Sequence, residues 1–155
     1  MSDTLPAYRY RGARAMVLLH EQHLREFVAT WRQAVAAGVR LPASDDPDYA
    51  SLEHLLVHVL ACARGYMVWC CEVLKLPDPQ IRPAPGADVV AAQANDFVEA
   101  VVAGWRAPLA DIEEPAFGAT YVSRWGWHYS VDSMLEHAVM HPIRHTFQLR
   151  ELMAG

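Results

Sequence analysis

His137–His145 reads HAVMHPIRH and sets three histidines four residues apart in a stretch otherwise composed as a helix. Residues four apart on an α-helix are neighbours on one face, so the imidazoles stand in a row. Neutral imidazole is the commonest metal-binding side chain, and two of them one turn apart reach a single ion without distorting the backbone. What the rest of the chain supplies to complete and bury that row decides the fold.

The helix that carries the row is expected to start at Ser130, a capping residue, and to continue to about Met153. Counting about 100° per residue, Val131, Leu135, Val139, Thr146 and Leu149 share one face, with His145 near its centre, His141 further round and His137 on the flank. His141 and His145 therefore point inward together. Met140, Ile143 and Phe147 form a second apolar stripe that has no partner inside a four-helix bundle and reads as a dimer surface. Pro142 removes one backbone hydrogen bond and clashes with the carbonyl of Ala138, at roughly 3 kcal/mol in an ordinary helix. Because the apolar period resumes in register beyond it, a kink is expected rather than a stop.

Three more helices are legible upstream. The first begins just after Gly12 and ends at Gly38, with Met16, Leu19, His23, Phe27 and Trp31 at helical spacing. After a loop, VRLPASDDPDY, Ser51 caps a second helix running from about Leu52 to Leu76 that is apolar on almost every side. Leu55, Cys62, Tyr66 and Val73 lie opposite the charged Glu53, Arg64, Glu72 and Lys75. His58 sits at the edge of that inner side, and His54 falls nearer the charged one. The proline-rich LPDPQIRPAPG is an extended connection. Asp88 is the expected cap of a third helix that presents Val89, Phe97, Val101 and Trp105 and ends near Pro108. From there to Tyr129 the chain has no helical period, and a short strand or ordered loop is expected near Ala119 to Arg124.

With 155 residues, 53% of them hydrophobic, the chain suits one domain, 1–155, with a core that needs no disulfide. A net charge of −5 without a Lys/Arg-rich run leaves no electrostatic footprint for nucleic acid. The N-terminus lacks the pattern of a signal peptide and no apolar run approaches the roughly 20 residues that span a bilayer, so a cytoplasmic protein with no membrane partner is expected. Cys62, Cys70 and Cys71 show no CxxC spacing and are expected to be reduced.

Four helices, SLEHLLVH at Ser51–His58 and HPIRHTFQL from His141 onward together make the chain resemble the DinB/YfiT-like superfamily over nearly its whole length. The family carries S-x-x-E-x-x-x-H on helix two, where this chain keeps the serine and histidine but has His54 at the acidic position. On helix four it shows histidines four apart ending in H-x-G-Q or similar, where this chain supplies His141, His145 and Gln148, with Thr146 and Phe147 between. The resemblance implies an all-α four-helix bundle of up-down-down-up order, commonly dimeric, holding one divalent metal through His58, His141 and His145. The angular count selects the same three. It further implies zinc or nickel as the ion and, among the activities known for the family, thiol-dependent S-transfer with a low-molecular-weight thiol, or isomerisation.

Other residues compete for roles. His54 and His137 each stand one turn from a proposed ligand and are candidates for supporting hydrogen bonds. His20 and His23, three apart on helix one, are spaced for a pair, but a solvated or partly buried helix face is their ordinary explanation. His128 is placed to sit over the mouth of the site. Cys62, one turn after His58, is a candidate fourth ligand, although a free helical cysteine is most often a small buried hydrophobe. Trp31, Trp69, Trp105, Trp125 and Trp127 read as packing residues.

Three imidazoles leave an ion at least one open position, as catalytic sites do. A thiol held there becomes a nucleophile toward a small-molecule electrophile, and water becomes a hydroxide for hydrolysis. No Glu or Asp of helices two or four is placed as a general base, so the thiol reading is favoured over a metal-dependent hydrolase. The alternative of another class is a non-catalytic dimeric bundle in which the ion pins helices two and four.

Overall fold

The computed structural model describes residues 4–155 as a predominantly helical chain of four helices and one two-stranded sheet. Helix α1 spans Arg11–Ala36, α2 Leu52–Val73, α3 Val90–Trp105 and α4 Val131–Ala154. Strands β1, Thr120–Val122, and β2, His128–Ser130, pair antiparallel with Tyr121 opposite Tyr129. Single-turn 3-10 helices lie at Pro47–Tyr49 and Glu114–Phe117.

Local chemistry accounts for the helix ends. Helix α1 closes in a Schellman motif: Gly38 takes φ +69°, its N–H donates to the Val35 carbonyl, and the Val39 N–H donates to that of Ala34. Helix α2 closes the same way, with Lys75 at φ +56° in the glycine position and the Leu76 N–H donating to the Cys71 carbonyl at 2.8 Å. That end falls three residues short of the expected Leu76, since a lysine carries no stop signal. Ser51 caps α2 by accepting from the His54 N–H, and Ser130 and Ser133 form a reciprocal capping box on α4. The expected cap of α3 is corrected: Asp88 lies in a turn before the helix, Val89 occupies the cap position without a side-chain bond, and Val89 is exposed. The helix ends at Trp105, short of Pro108.

One apolar core joins all four helices, with Phe27, Leu56, Leu60, Met67, Phe97, Val101, Leu135 and Leu149 fully buried. Each such Leu or Phe contributes roughly 1.5–3 kcal/mol by leaving water. Three indoles sit in this core with their N–H groups used. Trp31 donates to the Leu52 carbonyl at 2.6 Å, Trp105 to Ala63 at 2.9 Å and Trp69 to Val122 at 3.2 Å. These bonds tie α1 to the start of α2, α3 to the middle of α2, and the sheet to its end. The expectation that the tryptophans serve packing holds for these three and for Trp125, which is exposed on the hairpin yet meets the rings of Tyr66, Tyr129 and His137, whereas Trp127 is exposed. At Gly104 a Cβ would overlap Ile81, so this glycine lets the proline-rich connection lie against α3.

Among the described residues one helix, α2, is long and apolar enough by length and composition to cross a membrane, and 56% of its most apolar window is buried inside the molecule. This qualifies the expectation that no run approaches that length: the apolarity of α2 serves a helix surrounded by the others. Helix α4 continues through Pro142, which is itself buried.

Candidate metal centre

His58 on α2 and His141 and His145 on α4 converge on one point. The His58 Nε2 lies 3.0 Å from the His141 Nε2, which lies 3.3 Å from the His145 Nε2. The potential ligand atoms of all three fall within 4.8 Å of one another. His141 and His145 are buried, and His58 is partly open. Pro142, between the two α4 histidines, leaves them converging.

Protons and lone pairs follow from the outer bonds of the rings. The His58 Nδ1 is 3.0 Å from Asp48 Oδ2, and the His145 Nδ1 is 2.9 Å from Gln148 Oε1. A carboxylate and an amide oxygen accept, so both rings carry their proton on Nδ1 and turn the Nε2 lone pair toward His141. Two acceptors thus face a third nitrogen that can offer one proton. Its own Nδ1 is buried without a hydrogen-bond partner among the described residues. A cation at the shared point satisfies all three lone pairs at once. Nitrogens about 2.0–2.1 Å from a tetrahedral ion lie roughly 3.3–3.4 Å apart, close to the two short separations here. The donor set, three imidazoles with no thiolate or carboxylate, suits a divalent transition metal such as zinc, nickel, copper or iron.

The electrostatics hold His141 and His145 neutral. Burial, reinforced by the neighbouring His145 and His58, pushes His141 down to about 2, and burial pushes His145 down to about 4 against the opposing bond to Gln148. Neutral rings are the form that binds metal. Arg144, exposed on α4, adds its positive charge to the same region and disfavours protonation of His137, His141 and His145.

Other candidates separate clearly. His54 is exposed and bonded through Nδ1 to Ser51 Oγ at 2.9 Å, away from the cluster. His137 lies among the rings of Tyr66, Trp125 and Tyr129, with centroids 5.4, 5.5 and 5.7 Å away, and stacks 6.3 Å from His141. Cys62 approaches the Nδ1 side of His58, at 3.9 Å, which is the side turned from the convergence point. The structure does not bring it in as a fourth ligand. His128 is exposed on β2, and the loop residue that reaches the neighbourhood is Trp125. The expected solvated or partly buried face holds for His23, which bonds Glu26, and is corrected for His20, which is buried and stacked on Trp105 at 3.7 Å.

Two clefts of about 330 Å³ flank the cluster. One, between Leu41 and Leu152, touches Tyr49 and Gln148 but none of the three histidines. The other is lined by His58 itself, beside Asp48, Cys62 and Tyr66. Asp48 and Tyr49 belong to the 3-10 turn before α2, and the tilted Tyr49 ring lies 6.0 Å from both His58 and His145. Neither residue stands out in the sequence, where DDPDY reads as a solvated loop. The available signal was its position just ahead of the Ser51 cap. No family model, curated protein or solved structure matches this chain.

Proposed function

We propose that the chain is a DinB/YfiT-like four-helix bundle of up-down-down-up order and a divalent-metal-dependent enzyme, a thiol-dependent S-transferase or isomerase. The observation that carries this is the convergence of three imidazoles from α2 and α4, two of them oriented by Asp48 and Gln148. His58, His141 and His145 would hold zinc or nickel. Bound there, the ion lowers the pKa of a low-molecular-weight thiol and holds its sulfur as an anion.

The chain's own residues suit that chemistry. Asp48 and Gln148 fix the protons of two rings on Nδ1 and so keep their lone pairs presented. Burial pushes Cys62, Tyr49 and Tyr66 up, and the Arg144 charge works against that rise, an attractive field on anions near the cluster. An incoming thiolate benefits from that field too. Asp48, the carboxylate that touches the cluster, is engaged with His58 and is not free to take a proton from water. Thiol attack, which needs no such base, is therefore favoured over hydrolysis.

Cobalt-substituted protein titrated with 2-mercaptoethanol tests the reading. A saturable change in the visible bands is expected, and bands unmoved at high thiol would leave a non-catalytic metal-binding bundle in its place.

We further propose a homodimer in the cytoplasm, paired through α4. Met140 and Phe147 are 56% and 61% exposed one helical face away from the histidines, with Ile143 between them. Phe147→Glu is expected to convert the dimer to monomer in sedimentation, and an unchanged sedimentation coefficient would place the contact elsewhere.

A further inference from the structure

The cleft that opens onto His58 has a floor made by one stripe of α2. Ala61, Gly65 and Trp69 follow His58 at three- and four-residue steps, and Trp125 and Met134 stand across from them. Glycine is disfavoured inside a helix, and Gly65 lies well within α2. Close packing does not require it: a Cβ built there meets nothing within 4 Å. The missing side chain leaves room in the floor about two turns from His58. Trp125 forms the facing wall, its ring edge-on to Tyr66 at 6.5 Å and 85°.

The charges at this cleft are already used. The Arg124 guanidinium donates to both oxygens of Glu72, at 3.1 and 3.2 Å, and Asp48 is held by His58. What remains is an apolar slot of about 330 Å³, at the small end of small-molecule pockets, with aromatic sides and one open end at an imidazole. A flat, uncharged ring fits these terms. Against Trp125 it gains an aromatic face, and against Ala61 and Gly65 it meets no obstruction. A charged group would lose its hydration there without a free partner.

We infer that this slot is a specificity subsite that seats an uncharged aryl group of the thiol beside His58 of the triad, with Gly65 setting its depth and Trp125 its wall. The inference rests on the triad being the reacting centre, and it names the class of molecule that centre serves. A larger residue at 65 leans toward the helix N-terminus, over Ala61 and toward His58, and so blocks the slot.

The test uses two thiols of different shape on cobalt-loaded protein: benzyl mercaptan and 2-mercaptoethanol, each followed by the visible bands. Native protein is expected to bind benzyl mercaptan at least about tenfold more tightly than 2-mercaptoethanol. Gly65→Leu is expected to erase that preference by weakening benzyl mercaptan about tenfold more than 2-mercaptoethanol at unchanged cobalt stoichiometry, and Gly65→Ala to retain most of it. Leucine favours the helix more than glycine does, so the variant should fold. Equal affinities in native protein, or a preference that survives Gly65→Leu, overturn the inference while leaving the thiol site standing. If cobalt or thiol does not bind, the reading of the centre fails instead, and metal-free protein titrated with benzyl alcohol decides the subsite. Saturable shifts of the Gly65 amide and the Trp125 indole N–H in an ¹⁵N spectrum, absent in Gly65→Leu, support it. Unmoved signals overturn it.

Discussion

His145→Ala is expected to abolish stoichiometric binding of zinc or nickel, measured by elemental analysis after dialysis and by calorimetric titration. His145 is buried, and its Nε2 lies 3.3 Å from that of His141. Its removal leaves two imidazoles from different helices, and with them an open face that water fills. The native protein should also gain stability from the ion by mass action, about 2.7 kcal/mol at a free concentration a hundred times the dissociation constant. That gain should vanish in the variant, so a thermal scan with and without zinc separates lost binding from a misfolded chain. Asp48→Asn keeps the size of the residue that orients His58 but weakens its hold on the Nδ1 proton. Its expected cost is roughly 10–100-fold in metal affinity. His54→Ala, by contrast, should retain a full equivalent, since His54 is exposed and occupied with the Ser51 cap. A full equivalent of metal in His145→Ala would remove the centre from consideration.

The convergence of His58, His141 and His145 was legible because helical periodicity carries direction. Counting around α4 placed Val131, Leu135, Leu149 and the inward pair His141 and His145 together, and all five are buried. The same count on α2 preferred His58 to His54, and the structure brings His58 to within 3.0 Å of His141. Ser51 and Ser130 announced their helices because a hydroxyl before an apolar run satisfies free N–H groups.

The missed features depend on tertiary placement. Asp48 meets His58 ten positions later only because the 3-10 turn folds back against α2. A hairpin whose second strand is His128–Ser130 leaves little period-two signal, and its turn relies on Gly126 at φ +86°. With that turn unseen, Trp125 could not be placed at the cleft. His20 was misread for a related reason: its partner, Trp105, lies on another helix, and spacing along α1 says nothing of what packs across it.

Acid should destabilise the metal-free protein steeply, and His20 provides the cleanest measure of it. Its ring is 1% exposed, stacked on Trp105 at 9°, with Nε2 lacking a partner among the described residues. Burial, with a smaller contribution from His23, pushes it down to about 3. An unfolded histidine titrates near 6.5, so between about 6.5 and 3 the unfolded chain binds a proton that the native chain refuses. Stability is therefore complete above about pH 6.5 and falls as pH drops through that window, by up to about 1.4 kcal/mol per pH unit for each such group. At pH 5 the cost assignable to His20 is on the order of 2 kcal/mol. His141 and His145, pushed down to about 2 and 4, act in the same direction. His20→Phe keeps an aromatic ring against Trp105 and removes the proton site together with the unpaired nitrogen. Urea unfolding at pH 7 and pH 5 should show the difference between the two conditions shrinking by about 2 kcal/mol in the variant. His20→Leu should show the same shrinkage at lower absolute stability, because the effect belongs to the lost proton site and the stack does not enter it. Equal pH dependence in native and variant chains would mean that His20 is protonated in the fold, with an acceptor for its charge.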